Sequence, residues 1–326
     1  MAKNRKIPGA LRALITFRTL CLAPAVLYLL LLFGYPTVFN IKLGFEQEDA
    51  AQFILHSPTF NGLANYQQLI HDSVFLHALG NTAIFGVVTV SLQFVIGFGI
   101  ATLLNKTSPF YTVIRSALLV PWLLPLIVTG NVWIWMLDGF YGVLNYVLVN
   151  LHVTSHYVAW LSSPHLALGA VIVANTWLGI PFNVMIISAG LRSIPDSLYE
   201  AAAIDGAGSF RRMTAITLPL LKDVTGTLVL LGAVYSLKLF DIVWVMTQGG
   251  PANATQVLGT LEYQDTFTAN EYGYGAAIAN VMLVLSCAFA VLYVYLSRRR
   301  KVKSQVRRPG NARSWLKEGT EVDAHA

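Results

Sequence analysis

Six stretches of the chain are each long and apolar enough to cross a bilayer, and this leaves few architectures open. A helical crossing takes roughly 20 apolar residues, because in hydrocarbon every backbone polar group must find its partner inside the protein. The windows lie near residues 19–40, 80–104, 113–137, 166–190, 223–247 and 275–297. They predict an all-α, polytopic membrane protein with six transmembrane helices. Composition agrees: 55% of residues are hydrophobic and 12% charged, and the mean hydropathy is +0.59, far from the values of a soluble domain. Lys3, Arg5, Lys6, Arg12 and Arg18 precede the first window as they would a signal peptide. That window is too long for a signal-peptide core and lacks a clear small-residue cleavage site, so an uncleaved anchor is expected.

The formal net charge of +6 does not point to nucleic acid, because the basic residues crowd at the ends of the apolar stretches. The N-terminal tail, the "NKTSPFYTVIR" connection, the loop at 191–222 and the "RRRKVKSQVRR" tail hold nearly all of them, while the other connections hold essentially Lys42. The positive-inside rule then places both termini and the 191–222 loop in the cytoplasm. Segments 41–79, 138–165 and 248–274 face outward, each too short for an independent catalytic domain. The resulting division is a cytoplasmic tail at 1–18, a six-span body at 19–297, and a basic tail at 298–326 whose charge and paucity of apolar residues predict disorder. Cys21 and Cys287 both fall in apolar stretches, which argues against a disulfide framework or a metal site. His152 and His156 stand four apart in an outward connection without a carboxylate companion, and are read as solvated surface.

The loop at 191–222 is polar, punctuated by glycines and flanked by apolar runs. Pro195 suits the first turn of a helix, with Ser193 a nearby cap, and Asp196 and Glu200 sit where a helix N-terminus favours negative charge. "DSLYEAAAID" is thus expected to be a short helix, ended by Gly206 in a left-handed turn, with Ser209 capping a second helix through "FRRMTAITL". Ala201, Ala202 and Ala203 make one face small enough for the close approach of another surface. From these features alone, a partner's groove and the chain's own bundle are both open as that surface.

The pattern Glu-Ala-Ala, three residues, Gly, nine residues, Ile-x-Leu-Pro is met by Glu200, Ala201, Ala202, Gly206, Ile216, Leu218 and Pro219. It resembles the signature loop of the membrane subunits of binding-protein-dependent ABC importers. "NTWLGIPF" at 175–182, "GLRSIPDSLYEAAAIDGAG" at 190–208, "ITLPLL" at 216–221 and "FDIVWVMTQGGP" at 240–251 are similar to carbohydrate-uptake permeases, above all the maltose/maltodextrin permease subunits. The resemblance runs from "NGLANYQQLI" at 61–70 through the six-span body. It departs at Lys222-Asp223, where relatives often place a proline after the "LPLL" run.

What the resemblance implies is a permease subunit with a coupling helix. Glu200, Ala201, Ala202, Asp205 and Gly206 would dock in a cleft of a cytoplasmic ATPase. The partners would be a second homologous permease, two copies of the ATPase and an extracytoplasmic sugar-binding protein, all at a bacterial inner membrane. No G-x-x-x-x-G-K-[ST] phosphate loop is present, so ATP and Mg are expected on the partner, with no cofactor on this chain and no enzymatic activity of its own. The implied cargo is a sugar or oligosaccharide of the maltose/trehalose class. Import of sn-glycerol 3-phosphate by the same machinery and an ATP-independent secondary transporter are the alternatives.

By the same resemblance Gly179, Phe182, Gly232, Tyr235, Ser236 and Leu239 would line the sugar path, with Ser236 and Leu239 standing where maltose permeases carry side-chain amides. Positions 232, 235, 236 and 239 share one helical face. Trp177 and Phe182 flank a bend expected at Pro181, and for both, packing between spans remains the alternative to lining the path. Lys238 and Asp241 are the oppositely charged residues within the fifth window. Three apart on a helix, they are expected to pair, locking that span to its neighbours or touching sugar directly.

Overall fold

The computed structural model describes residues 20–55, 57–105 and 108–306, with side chains to residue 295. The expected tail at 1–18 and the stretch 307–326 lie outside the described residues. The chain opens with α1 (Leu20–Leu43), which is exposed along nearly its whole length. An elaboration between the first two spans follows: β1 (Glu46–Gln47), α2 (Ala50–Leu55), β2 (Thr59–Phe60) and α3 (Ala64–His71). The two strands pair antiparallel with Glu46 opposite Phe60. Asp72 then caps α4 (Ser73–Leu103), its carboxylate accepting from the Val74 amide at 2.8 Å.

The third apolar window does not form one rod. It divides into α5 (Pro109–Ala117), α6 (Val120–Leu123) and α7 (Leu126–Met136), and the two halves are bent by 95°. Pro125 is the cause, since a proline pushes the residue before it out of the helical region, and Leu124 is extended at φ −72, ψ 140. A short helix, α8 (Val143–Asn150), comes next, in the segment expected to face outward. The fourth window is one helix, α9 (Ala167–Arg192), carrying Pro181 inside it.

In the cytoplasmic loop of the sequence reading, α10 (Asp196–Ile204) and α11 (Ser209–Arg212) form two arms of an elbow. A π-helical turn at Met213–Thr217 and the short α12 (Leu218–Leu220) lead to α13 (Lys222–Leu237), with a 65° bend at Leu221. The fifth window, expected as one helix over 223–247, stops at Leu237 and resumes as α14 (Asp241–Met246). The connection to the last helix carries α15 (Leu258–Tyr263) and a π turn at Gln264–Thr268. The last helix, α16 (Tyr272–Val306), continues beyond residue 298 into the segment expected to be disordered. Among the described residues four helices are long and apolar enough to cross a membrane unaided, or up to six if each bent pair is counted as one span.

The core has α4 and α9 packed along each other at its centre, with α13 against α4 and α16. Towards the elbow, Ala101, Val184, Ile187, Leu191, Leu221 and Leu228 form one buried cluster. Another joins Phe85, Val171, Ala174, Ile242 and Val243. Burial alone does not hold helices together in lipid, so side-chain hydrogen bonds matter more. The first span is fastened in this way. Asn40 Nδ2 donates to Asn280 Oδ1 at 3.0 Å, while Asn280 Nδ2 donates to the Ile41 carbonyl at 3.3 Å and to Tyr66 Oη at 3.0 Å. At the end away from the elbow, Asn81 Nδ2 donates to the carbonyls of Ala254 and Gln256 at 3.1 and 2.9 Å, pinning the loop after α14 to α4.

Asp265, in the last π turn, lies among acidic neighbours. Burial first, and then the charges of Glu271, Asp72 and Glu262, push its carboxyl up to about 7. Burial also raises Glu262, against a hydrogen bond from Thr266 that lowers it. The folded chain therefore keeps a proton that the unfolded chain loses above about pH 4, and stability falls as pH rises from there to about 7. Asp265→Asn should remove this slope. Thermal unfolding in nanodiscs should show the variant melting higher than wild type at pH 8, with the gap shrinking steadily towards pH 4.5. An identical pH profile for the two proteins would mean that Asp265 ionises freely in the folded state.

Candidate functional site

A cavity of about 360 Å³ opens where α4, α6, α9, α13 and the break before α14 meet. Its position follows from three interruptions of helical geometry. Pro125 turns α7 away from α6, Pro181 removes a donor from the middle of α9, and the fifth span breaks between Leu237 and Asp241. Of the residues expected on the path, Gly179, Phe182, Gly232, Tyr235, Ser236 and Leu239 all line this cavity. Gly232, Tyr235 and Ser236 reach it from one face of α13, whereas Leu239 reaches it from the break. Tyr235 is 69% exposed, while the Ser236 hydroxyl is turned back to donate to the Gly232 carbonyl at 2.8 Å.

Trp177 is not among the lining residues. Its ring meets Trp133 edge-on, with centroids 5.9 Å apart and planes at 73°, so it packs α9 against α7. The aromatic that does face the cavity with Phe182 is Trp122, stacked on it at 6.0 Å and 28°. The sequence reading missed Trp122. Its signal was a tryptophan between Pro121 and Pro125, where the helix must break and the ring need not face lipid.

Three amide side chains also escaped the sequence reading: Gln93, Asn175 and Asn183. Gln93 Nε2 donates to the Asn175 carbonyl at 3.0 Å, and Asn183 Nδ2 donates to the Gly179 carbonyl at 3.0 Å. A Cβ at Gly179 would collide with the Gln93 amide, so glycine is required for this amide to cross between α4 and α9. Thr89 adds a buried hydroxyl with no hydrogen-bond partner among the described residues. The lining thus combines aromatic faces with amide and hydroxyl groups, a set that suits a ligand carrying both apolar faces and many hydroxyls.

The expected pairing of Lys238 with Asp241 does not occur. Among the described residues the ion pair is Lys42 with Glu46, at 3.2 Å. The helix that would have brought Lys238 and Asp241 together ends at Leu237, and Phe240 is in a non-helical conformation at φ −138, ψ −61. Both charges line the cavity instead, and both are exposed. Lys238 sits at the C-terminal end of α13 and Asp241 in the first turn of α14, where the two helix dipoles favour a cation and an anion respectively.

The elbow presents a second candidate surface. Gly206 has φ +72, the left-handed turn expected after the first arm. Pro195 occupies the position just before α10. Ser193 does not cap that helix, because its hydroxyl donates back to the Gly190 carbonyl at 2.7 Å and closes α9. Ser209 is the first residue of α11 and Gly208 precedes it, so Ser209 is no cap either. Tyr199 Oη and Thr217 Oγ1, 3.0 Å apart, tie the first arm to the π turn that follows the second. Glu200, Ala201, Asp205 and Gly206 are exposed and Ala202 is half-buried. Ile204 and Phe210 are 87% and 75% exposed, leaving an apolar patch beside the acidic residues.

Comparison with known proteins bears on both surfaces. The trehalose/maltose transport system permease protein MalF of Thermococcus litoralis is 37% identical over 249 residues, covering 76% of this chain and 83% of that one. The sulfoquinovosyl glycerol transport system permease protein SmoG of Agrobacterium fabrum is 35% identical over 281 residues, covering 86% and 90%. Among solved structures, a chain of a bacterial ABC transporter involved in the import of the acidic polysaccharide alginate shares the fold, with a TM-score of 0.75 at 19% identity, covering 88% of this chain and 96% of that one. Residues 93–302 match the family model described as the binding-protein-dependent transport system inner membrane component, and the chain belongs to that family.

Proposed function

We propose that this chain is the permease subunit of an ATP-driven importer that carries a sugar or oligosaccharide through the cavity at the broken fifth span. The observation that carries this reading is the lining itself: Trp122, Phe182 and Tyr235 supply ring faces, and Gln93, Asn175 and Asn183 supply amides. Family membership and the sugar-transport names of its relatives support the same cargo class. A phosphate ester is less well served. The lining has one lysine, with an aspartate three residues away, rather than a group of cations.

The partners follow from the same reading. A second permease of this family would complete the path. Two ATPase subunits would receive the elbow through Glu200, Ala201, Ala202, Asp205 and Gly206, and ATP binding there would favour one arrangement of the spans over the other. An extracytoplasmic binding protein would deliver the sugar, in keeping with the family description and with a related alginate transporter solved in complex with a pentasaccharide-bound periplasmic protein. Both termini and the elbow lie in the cytoplasm, supported by the distribution of Lys and Arg.

Co-expression with the cognate ATPase and binding protein tests the whole reading. An ATPase should co-purify with the permease, and its activity should rise with one member of a sugar panel. A permease that purifies without any ATPase sinks the proposal.

Two sets of variants separate the roles. Trp122→Ala should raise the sugar concentration at half-maximal uptake by about 3- to 10-fold, the equivalent of one aromatic contact of roughly 0.5–1.5 kcal/mol. Lys238→Met and Asp241→Asn should each assemble at wild-type levels and change that same concentration. Because the two charges are not paired, the double variant should rescue neither; recovery on combining them would mean that they do pair in the assembled transporter.

Gly206→Val would force a β-branched side chain to φ +72, a strain of roughly 1–3 kcal/mol. Insertion should be normal, judged by the amount of protein in the membrane, while sugar-stimulated ATP hydrolysis falls sharply. Unchanged hydrolysis would remove the elbow from the coupling path.

A further inference from the structure

The outward helix α8 has the wrong side facing out for a helix in water. Its polar centre, Asn145, is fully buried. Asn145 Nδ2 donates to the carbonyls of Asp138 at 3.0 Å and Val158 at 2.9 Å, and its Oδ1 accepts from the Val158 amide at 3.1 Å and Trp160 Nε1 at 3.0 Å. That clamp fixes which face α8 turns away from the protein. The outward face carries Val143, Tyr146, Val147 and Leu151, all exposed. The turn before it is equally firm: the Asp138 carboxylate accepts from the amides of Phe140 and Tyr141 at 2.8 Å each. These hydrogen bonds hold the Asp138 carboxyl below the usual carboxylate range. They also present Phe140 and Tyr141, 80% and 90% exposed, at its tip.

We propose that α8 and the 138–142 turn form an interfacial anchor, with this apolar face seated in the headgroup and acyl boundary of the lipid bilayer. Three observations select lipid as the occupant. From 139 to 191 the sequence contains no Asp, Glu, Lys or Arg, so the charge next to this face is Asp138, whose carboxylate is turned to the Phe140 and Tyr141 amides of its own turn. The face also continues the exposed apolar surface of α7, where Ile127 and Trp135 point away from the protein. Finally, Phe140 and Tyr141 follow closely on the end of α7 at Met136, at the depth where aromatic side chains gather in membrane proteins. The leaflet is the outer one in the orientation proposed above, but the anchoring does not depend on that choice.

The test uses the assembled transporter in nanodiscs, with Cys21 and Cys287 replaced and a single spin label at Val143→Cys or Val147→Cys. Collision rates with molecular oxygen and with a water-soluble nickel chelate should favour oxygen at both sites. A bimane fluorophore at Val147→Cys should be quenched at least 2-fold more strongly by lipids carrying a shallow doxyl group than by those carrying a deep one. Ready access of the nickel chelate would place the helix in water and overturn the proposal. Shielding from both reagents would also overturn it, because a protein partner rather than lipid would then cover the face. Both substituted positions are exposed, so the fold should tolerate the labels, and ATP hydrolysis by the labelled complex confirms assembly.

Discussion

Hydrocarbon offers no hydrogen bonds, and the whole arrangement of this chain follows from where the backbone is permitted to stop being helical. A break in a span exposes carbonyl and amide groups, and these are tolerable only when they are buried in protein or line a polar cavity. Here the break in the fifth span lines the cavity directly, through Lys238, Leu239 and Phe240. The bend of the third span brings Trp122 and Leu126 to the same space from either side of Pro125. Pro181 lies one residue from Phe182 on the fourth. The irregularities are therefore one feature seen in three helices: the places where the bundle opens are the places where its backbone can be open.

The same constraint explains the two charges. An ionised side chain at the centre of a lipid-facing helix costs about 2.5–3.5 kcal/mol on insertion scales. That cost motivated the expectation of a mutual pair, which a continuous helix would have allowed. Breaking the helix offers a different solution, since each charge sits at a helix end whose dipole suits it and faces a polar space. Lys238 and Asp241 are consequently stabilised without neutralising each other, and both stay available to a ligand. Asn40, Tyr66 and Asn280 resolve the same problem by pairing, and so fasten the first span to the last.

Much of this was legible in the sequence wherever the signal was local. The elbow at 196–212 and the left-handed turn at Gly206 depend on residues within a few positions, and the structure has both, as it has the first, second, fourth and sixth windows as single long helices. The path residues Gly179, Phe182, Gly232, Tyr235, Ser236 and Leu239 came from resemblance and do converge on one cavity. The failures share a cause: they needed knowledge of a neighbouring helix. Hydropathy reads 223–247 as one span because it does not see that the chain turns at Lys238 to face a cavity. Trp122 and Trp177 look alike in sequence, and only the partners they meet, Phe182 and Trp133, separate a cavity wall from a packing contact. Ser193 failed as a cap because the end of α9 claimed its hydroxyl first.

The placement of α13 supplies a physical route between the two functional surfaces. It starts at Lys222, directly after the elbow, and ends at Leu237, at the cavity. Its 16 residues span about 24 Å at 1.5 Å per residue. At its foot Leu221 is buried among Ala101, Val184, Ile187 and Leu228, so the helix is seated against α4 and α9 and cannot shift its lower end without disturbing them. At its head the break at 238–240 releases it from α14, which is packed separately against α7. There α13 is packed against α4 as well, with Ser236 buried beside Gly86 and Gly232 lying against Val90, so one continuously packed helix runs from Leu221 to the cavity. The break in the fifth span therefore ends this wall helix at the cavity and brings Lys238 and Asp241 into a lining that is otherwise largely apolar.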